Sequence, residues 1–444
     1  MNDTAYHMDT IFALSSGAVP AAVAIIRLSG PRVRPVLETL TGSVPEPRRA
    51  GLRTVRDCGG AVIDRALVLY FPGPQSFTGE DCAEVHVHGG RAVVGALMRC
   101  LASIEGLRSA EPGEFTRRAF ENGRMDLTEV EGLADLIAAE TEMQRRQALE
   151  QSAGGLSEAY DRWRNMLTRS RAMIEADFDF ADEEDVPGSV ADTIWRSLSS
   201  LATEIDTHLS GSRAGEIIRD GYRIVILGAP NAGKSSLMNT LACRDIAIVS
   251  EELGTTRDVL EVHLDIAGFP VVLSDTAGLR DSAGEVEREG MRRAFRAAAA
   301  ADLIVLLEDV SHPVAIDIAD LDQDKILRVG SKADLADDAD ADTDACRVSV
   351  KTRDGLDTLL GAIEQRVRAA AGGFSAAVPN RQRHREYLQA CLSHLQAAVD
   401  GTDLPLEVRA EELRRAAAML GRLTGHVDAE DLLDVIFSEF CIGK

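Results

Sequence analysis

The string Gly228-Ala-Pro-Asn-Ala-Gly-Lys-Ser235 fits G-x-x-x-x-G-K-[ST], follows the apolar run "YRIVIL" and opens a helix-forming stretch. Residues of these types at this spacing bind phosphate. Backbone N–H groups of the loop and of the helix N-terminus donate to a β-phosphate, Lys234 reaches the β and γ phosphates, and the Ser235 hydroxyl ligates Mg²⁺. Asn231 occupies one of the four positions that the pattern leaves free. A spacer needs no amide oxygen. A second cation beside the phosphates would use one.

Two further strings stand where a P-loop GTPase needs them. "LSDTAG" (273–278) ends an apolar run on Asp275, an acid suited to holding Mg²⁺, and the Gly278 N–H is placed to report a γ-phosphate. "GTTRD" (254–258) lies between, in the place of the first switch, and offers Thr256 as a second Mg²⁺ ligand beside Ser235. The expected nucleotide contacts are therefore Asn231, Ala232, Gly233, Lys234, Ser235 and Ser236 in the loop. Ser250, Glu251, Glu252, Leu253, Gly254, Thr255 and Thr256 follow, and then Asp275, Thr276, Ala277 and Gly278.

Base choice falls to "GSKAD", where Asp334 accepts from guanine N1–H and its amino group, and Lys332 covers the ring beside Ala333. Ser331 stands where the N-K-x-D pattern has Asn, and a hydroxyl makes fewer simultaneous bonds than an amide. "SVKT" (349–352) adds Ser349, Val350 and Lys351 as the last base-contacting loop. Leu279 follows "DTAG" where a Gln would orient the attacking water, and an apolar side chain cannot do so. Glu285, Glu287 and Glu289 in "GEVEREG" are the nearby carboxylates, and a solvated helix start is the alternative reading of all three.

These loops need strands to hold them. Residues 220–370 alternate apolar runs with helical stretches, the texture of a parallel sheet covered on both faces. Before them, residues 1 to about 120 mix strand-like runs with one helical stretch at 91–104, an α+β texture. Leu127 to about Ser210 and the segment after about 376 read as helical. Val130, Leu133 and Ile137 fall on one face, and Met166, Met173 and Ile174 continue an apolar stripe. Leu406, Leu413 and Leu420 repeat on one face, with Leu432, Val435, Ile436 and Phe440 forming another behind an Asp428 cap. Neither helical part alone makes a complete bundle. The economical architecture is therefore an α/β domain inserted into a helical one, with three domains in series as the alternative.

Composition narrows the class. A length of 444 residues implies two or three domains. No apolar run approaches the roughly 20 residues of a membrane span, and the N-terminus lacks the form of a secretory signal. Seven cysteines, an odd count without C-x-x-C pairs, point to reduced thiols in a cytoplasm rather than to a disulfide framework or a zinc site. The net charge of −24 opposes a chain coated in nucleic acid, though not a local basic face or a basic partner. Part of that acidity lies in "DFDFADEEDV" (177–186) and "DLADDADADTDA" (334–345), which read as solvated loops or helix ends.

With their flanks, these motifs resemble the MnmE (TrmE) family of tRNA-modifying GTPases over nearly the whole chain. The resemblance is carried by "DTIFALSS…AIIRLSGP" (9–31), "FTGEDCAEVHVHGG" (77–90), "EPGEFTRRAFENGRMDLTEVEGLADLI" (111–137) and "EDLLDVIFSEFCIGK" (430–444). It implies an α+β folate-binding and dimerisation domain over 1–122 and an all-α domain split into 123–219 and 374–444. An α/β Ras-like P-loop GTPase domain is inserted over 220–373. It further implies a partner, the FAD- and NADH-dependent MnmG, in a heterotetramer with a homodimer of this chain. Together the two would place an aminomethyl or carboxymethylaminomethyl group on C5 of the wobble uridine of certain tRNAs. The one-carbon unit would come from 5-formyl- or methylene-tetrahydrofolate. The implied folate contacts are Arg27, Glu84, Lys444 and Arg124, the last where the family usually has Lys. Glu287 matches the family's catalytic glutamate, acting through water. Asn231, Ser250, Glu252 and Thr255 match its potassium ligands, the cation standing where other GTPases receive an arginine finger. Cys441 invites a nucleophilic role but has no sequence-local base, and a buried thiol is the competing reading.

Two other classes compete. An RNA-binding or ribosome-assembly GTPase predicts a basic module after the G domain, and the segment from 376 is not notably basic. A folate-dependent methyltransferase with a degenerate nucleotide domain is opposed by the intact Lys234, Ser235 and Asp275.

Overall fold

A computed structural model describes residues 9–179, 189–244, 246–248, 261–275, 295–335, 346–372 and 377–426, together with 433, 436, 437, 440 and 443. Two compact units emerge, one made of residues 1–134, 157–164 and 420–444, the other of 135–156 and 165–419.

The first unit is built on a six-stranded sheet. Its strands are β1 (Thr10–Leu14), β2 (Val23–Ser29), β3 (Gly51–Arg56), β4 (Val62–Phe71), β5 (Cys82–His88) and β6 (Leu107–Ser109), in the order β3-β4-β5-β2-β1-β6. Only β1 and β6 run parallel; the other neighbours are antiparallel. Two helices, α1 (Val33–Thr41) and α2 (Arg91–Ala102), cover one face. In α1 the buried residues Val33, Val36, Leu37 and Leu40 recur at the spacing of a single helical stripe, which is why that stripe meets the sheet. Helix α3 (Glu114–Glu121) carries the polar centre of this unit. Arg118, 2 % exposed, donates to Glu80, Glu114 and Asp9, and Arg108 pairs with Asp9 and Glu114. Burial alone would raise the Glu114 carboxyl. The Arg108 hydrogen bonds, the Glu111 N–H and the two guanidinium charges outweigh it and hold Glu114 below the usual carboxylate range.

Helices α4 (Leu127–Ala138), α5 (Glu142–Ser152), α6 (Gly155–Asp179), α7 (Ser189–Ser210) and α8 (Ser212–Asp220) follow. The buried face of α6 is Leu156, Tyr160, Trp163, Leu167, Ser170 and Ile174, in steps of three and four. Met166 and Met173 lie off that face and are exposed, as is Ile137, so of these stripes the sequence pattern placed only Val130, Leu133 and Ile174 toward the interior. A seven-residue repeat of apolar residues does not by itself say which stripe is buried. The aromatic pair Tyr160–Trp163 decides it here, because its large rings need cover.

The second sheet comprises β7 (Tyr222–Gly228), β8 (Glu261–Ile266), β9 (Phe269–Asp275), β10 (Leu303–Asp309), β11 (Ile326–Ser331) and β12 (Cys346–Val348), ordered β12-β11-β10-β7-β9-β8. All neighbours are parallel except β8, an antiparallel edge strand. Its sequence, "EVHLDI", alternates polar and apolar residues as an edge allows, whereas the central strand "LIVLLED" is apolar and buried over its first five residues. Helix α9 (Lys234–Ala242) follows β7, and α10 (Leu356–Ala371) closes the sheet with buried Leu356, Leu359, Ile363 and Val367. Helices α11 (Gln382–Asp400) and α12 (Leu406–Thr424) complete the chain's described helical part. Leu413 and Leu420 of α12 are fully buried. Leu432, Val435 and the Asp428 cap lie outside the described residues, as do most of the two acidic segments.

The α/β sheet is an insertion, and its neck is visible. Asp135 of α4 accepts from Arg219, at the end of α8 just before β7, and from Asn380 and Arg381, just before α11. Gln144 donates to the Arg219 carbonyl and Gln151 to the Val378 carbonyl. A Cβ on Gly215 would stand 2.3 Å from the Pro379 carbonyl oxygen, so glycine is what lets the outgoing chain pass there.

Candidate functional site

Five parallel strands of the second sheet end along one edge. Register places Gly228 beside Leu307, Asp275 beside Ile226, and Asp309 beside Ser331, which in turn pairs with Val348. The chain leaves β7 toward β9 and later returns to β10 on the other side, so the order reverses between β7 and β10. Open α/β sheets bind ligands at that crevice, beyond the carboxyl ends of the strands.

The phosphate loop fills the crevice. A Cβ on Gly228 would lie 2.5 Å from the Leu307 carbonyl oxygen, so only glycine lets β7 turn there against β10. Gly233 adopts φ 96° at the start of α9, which aims the helix N-terminus into the loop. Lys234 Nζ donates to the carbonyls of Gly228 and Ala229 at 2.9 and 3.0 Å, folding its ammonium over the loop. Ser235 and Ser236 are exposed in the first turn of α9, and Ala232 is buried beneath them. Asn231 has φ 65° and an exposed side chain. The left-handed backbone by itself favours Asn over most residue types.

The base-side loops are locked to this one. Ser331, 4 % exposed, donates to the Ala232 carbonyl at 2.7 Å, with the Glu308 carbonyl at 3.2 Å. Its single proton serves one acceptor at a time, so serine keeps the tether to the phosphate loop and has no second donor for a base. Ser349, fully buried, donates to Asp334 at 2.8 Å and fixes the exposed carboxylate. Lys332, at φ 57°, pairs with Asp309 at 2.6 Å. The hydrogen bonds from Lys332 and Ser311 hold the Asp309 carboxyl well below its usual range. Asp309 was not singled out from the sequence; its signal was an acid at the end of a strand that opens on five apolar residues. Ala333, Val350 and Lys351 sit in the same two loops, with Val350 packed against the core below. Asp275 is the last residue of β9, in register with Ile226 of β7. Ser250, Glu251, Glu252, Leu253, Gly254, Thr255, Thr256, Thr276, Ala277, Gly278, Leu279, Glu285, Glu287 and Glu289 lie outside the described residues.

A second constellation lies on the face of the first sheet opposite α1 and α2. Arg27 on β2 stands opposite Glu84 on β5, and its Nε and one terminal nitrogen donate to Glu84 Oε1 at 3.2 and 3.0 Å. The other carboxylate oxygen lies 3.1 Å from His86 Nε2, two residues along on the same face. Burial works to raise the Glu84 carboxyl, but the His86 and Arg27 interactions prevail and lower it. The guanidinium of Arg27 lies over Phe77, 5.3 Å from the ring centre, and 5.9 Å from that of Phe115. His86 was not singled out from the sequence, although its period-two spacing from Glu84 carried the signal. Asn122 ties the segment before Arg124 to the Thr78 carbonyl, and the Arg124 side chain lies against Gly79 in that same loop. Lys444 and Cys441 lie outside the described residues, but Gly443 is described. Its carbonyl accepts from Ser15 Oγ at 2.8 Å, and its Cβ position is 2.3 Å from the Leu14 carbonyl, so the tail passes over the end of β1. Phe437 and Phe440 anchor that tail on Leu127 and Val130.

Comparison with known proteins identifies this combination. A family model described as the MnmE helical domain matches residues 127–441, and one described as the GTP-binding protein TrmE N-terminus matches 10–124. The chain belongs to the MnmE family. Relatives named tRNA modification GTPase MnmE include one from Brucella anthropi, 54% identical, and one from Brucella ovis, 52% identical; each alignment covers all of both chains. MnmE membership accounts for a P-loop sheet inserted at a helical neck and for a separate N-terminal sheet in one chain.

The serine in the base loop yields a prediction. Ser331→Asn supplies an amide with two donors, so the tether survives and a donor is freed for the base. GDP and GTP should each bind about 3- to 10-fold more tightly, the equivalent of one net hydrogen bond. Ser331→Ala should weaken both. Titration with a fluorescent guanine nucleotide measures this, and an unchanged affinity in Ser331→Asn would mean that the hydroxyl already meets the base.

Proposed function

We propose that this chain is a potassium-dependent GTPase that works in the cytoplasm with an FAD-dependent MnmG-type partner. Together they would add an aminomethyl or carboxymethylaminomethyl group to C5 of the wobble uridine of certain tRNAs, using a tetrahydrofolate one-carbon unit. The observation that carries the reading is the presence, in one MnmE-family chain, of two built sites. One is the phosphate and base loops tied together through Ser331; the other is the Arg27–Glu84 pair on a sheet whose β1 end receives the C-terminal tail. A net charge of −24 fits tRNA contact shared with a partner. No helix among the described residues is long and apolar enough to cross a membrane.

In this reading the chain's residues divide the work. Lys234 leaves the loop carbonyls for the β and γ phosphates, and Asp334, held by Ser349, accepts from guanine. Ser235 and Thr256 would hold magnesium with Asp275 behind them; Ser235 at the helix start and Asp275 at a neighbouring strand end fit that role. Magnesium, when bound, neutralises phosphate charge. Asn231, Ser250, Glu252 and Thr255 would hold potassium, and the exposed Asn231 amide is available to do so. Glu287 would orient the attacking water through a second water. Arg27, Glu84, Arg124 and Lys444 would bind the folate, with the cations facing its glutamyl carboxylates.

Deleting the gene should remove the C5-aminomethyl-type nucleoside from wobble positions in tRNA, as read by mass spectrometry of digested tRNA. An unchanged nucleoside profile would overturn the reading. Asn231→Gly keeps the left-handed backbone and deletes the amide oxygen. Hydrolysis by that variant should lose its preference for potassium over sodium while GDP affinity stays near wild type, and Glu287→Ala should lower turnover roughly 10²-fold in either salt. Equal wild-type rates in potassium and sodium at matched ionic strength would refute the potassium site. Removing residues 441–444 should weaken 5-formyltetrahydrofolate binding, measured calorimetrically, and leave GTP binding intact. Undiminished folate affinity would place that site elsewhere.

A further inference from the structure

Six cysteines are described as free thiols, and two of them meet. Cys58 lies in the β3–β4 hairpin turn and Cys100 near the end of α2, with their sulfurs 3.5 Å apart. The turn is closely defined. Asp57 Oδ1 accepts from the N–H groups of Gly59 and Ala61 at 2.9 and 2.8 Å, and the Asp57 N–H donates to the Ala61 carbonyl. Cys58 is therefore held over the helix. The two thiols differ in access: Cys58 is exposed, whereas Cys100 is 7 % exposed. Such a pairing gives an accessible sulfur for attack and a sheltered one beside it for resolution.

We propose that Cys58 and Cys100 form a reversible dithiol–disulfide switch in the N-terminal unit, with a small disulfide of the glutathione type as its oxidant. The Cys58 thiolate attacks one sulfur of the small disulfide, joining to it and expelling one thiolate. Cys100, after losing its proton to solvent, attacks the Cys58 sulfur and expels the second thiolate. Two protein thiols are oxidised, one small disulfide is reduced, and the two released protons equal those taken up by the two departing thiols. Cys58 is the exposed thiol and makes the first attack; burial keeps Cys100, whose thiol it pushes up to about 11, for the second. The product closes a loop containing β4 and β5, the latter carrying Glu84 and His86, and pins the hairpin to α2.

The test uses the full-length chain with Cys243→Ser, which removes the other exposed described thiol. It is incubated with oxidised glutathione and mapped by mass spectrometry of unreduced peptides. The expected result is a Cys58–Cys100 cross-linked peptide, reversed by dithiothreitol, and a thermal midpoint for the N-terminal unit raised by about 5 °C. Cys100→Ser should instead accumulate a glutathione adduct on Cys58, while Cys58→Ser should leave Cys100 unmodified. A stable glutathione adduct on Cys58 in the chain that retains Cys100, or no cross-linked peptide, would overturn the proposal.

Discussion

One carboxylate, Asp135, meets the chain on its way into the second sheet and again on its way out. An insertion is possible only if its two ends lie side by side, and here charge enforces that closeness. Arg219 and Arg381 both reach one oxygen of Asp135, at 3.2 and 2.7 Å, and Asn380 reaches the other. Two guanidinium groups brought together without a carboxylate between them would repel, so the node depends on the acid. Around it, Gln144 and Gln151 satisfy backbone carbonyls that the irregular neck would otherwise leave without partners.

Once the ends are fixed, the sheet is free to fold as a unit, and its parallel register does the rest. Parallel strands joined by right-handed crossovers all end at one edge. The motif residues from Asn231 to Lys351 are therefore collected at one edge without any direct bond between most of them. The exceptions matter. The Ser331 hydroxyl on the Ala232 carbonyl and the Ser349 hydroxyl on Asp334 make three loops into one rigid cradle.

The N-terminal unit uses a different device. Its polar centre is a network in which Arg118 and Arg108 share Asp9, Glu80 and Glu114, with Arg118 and Glu114 nearly out of reach of water. Buried ions stabilise only when each finds partners, and every carboxylate here faces at least one guanidinium. The network joins the start of β1, the loop after β4 and helix α3. Those same segments bring Phe77 and Phe115 beneath Arg27, so the buried charges set the shape of the half-buried Arg27–Glu84 pair above them.

The sequence by itself determined the chemistry and its order: the phosphate loop, the acid at a strand end, the base loop with serine for asparagine, and the flanking strings of the MnmE family. Those are local patterns, in which residue type and spacing suffice. It also determined most strands of the second sheet, because a central parallel strand carries a nearly continuous apolar run, as in Leu303–Leu307. What it left open were relationships between distant residues. The edge strand β8 alternates polar and apolar residues instead of forming an apolar run, and the stripe of Met166 and Met173 has the right period but faces solvent. Only tertiary structure decided that Ser331 spends its proton on Ala232, that Asp309 holds Lys332, and that His86 shares Glu84 with Arg27. The same holds for the meeting of Cys58 with Cys100 and of Gly443 with Ser15, 428 residues apart. The physical reason is common to all of these. A hydrogen bond or a sulfur contact is specified by where two backbones pass, and no spacing along one chain encodes that.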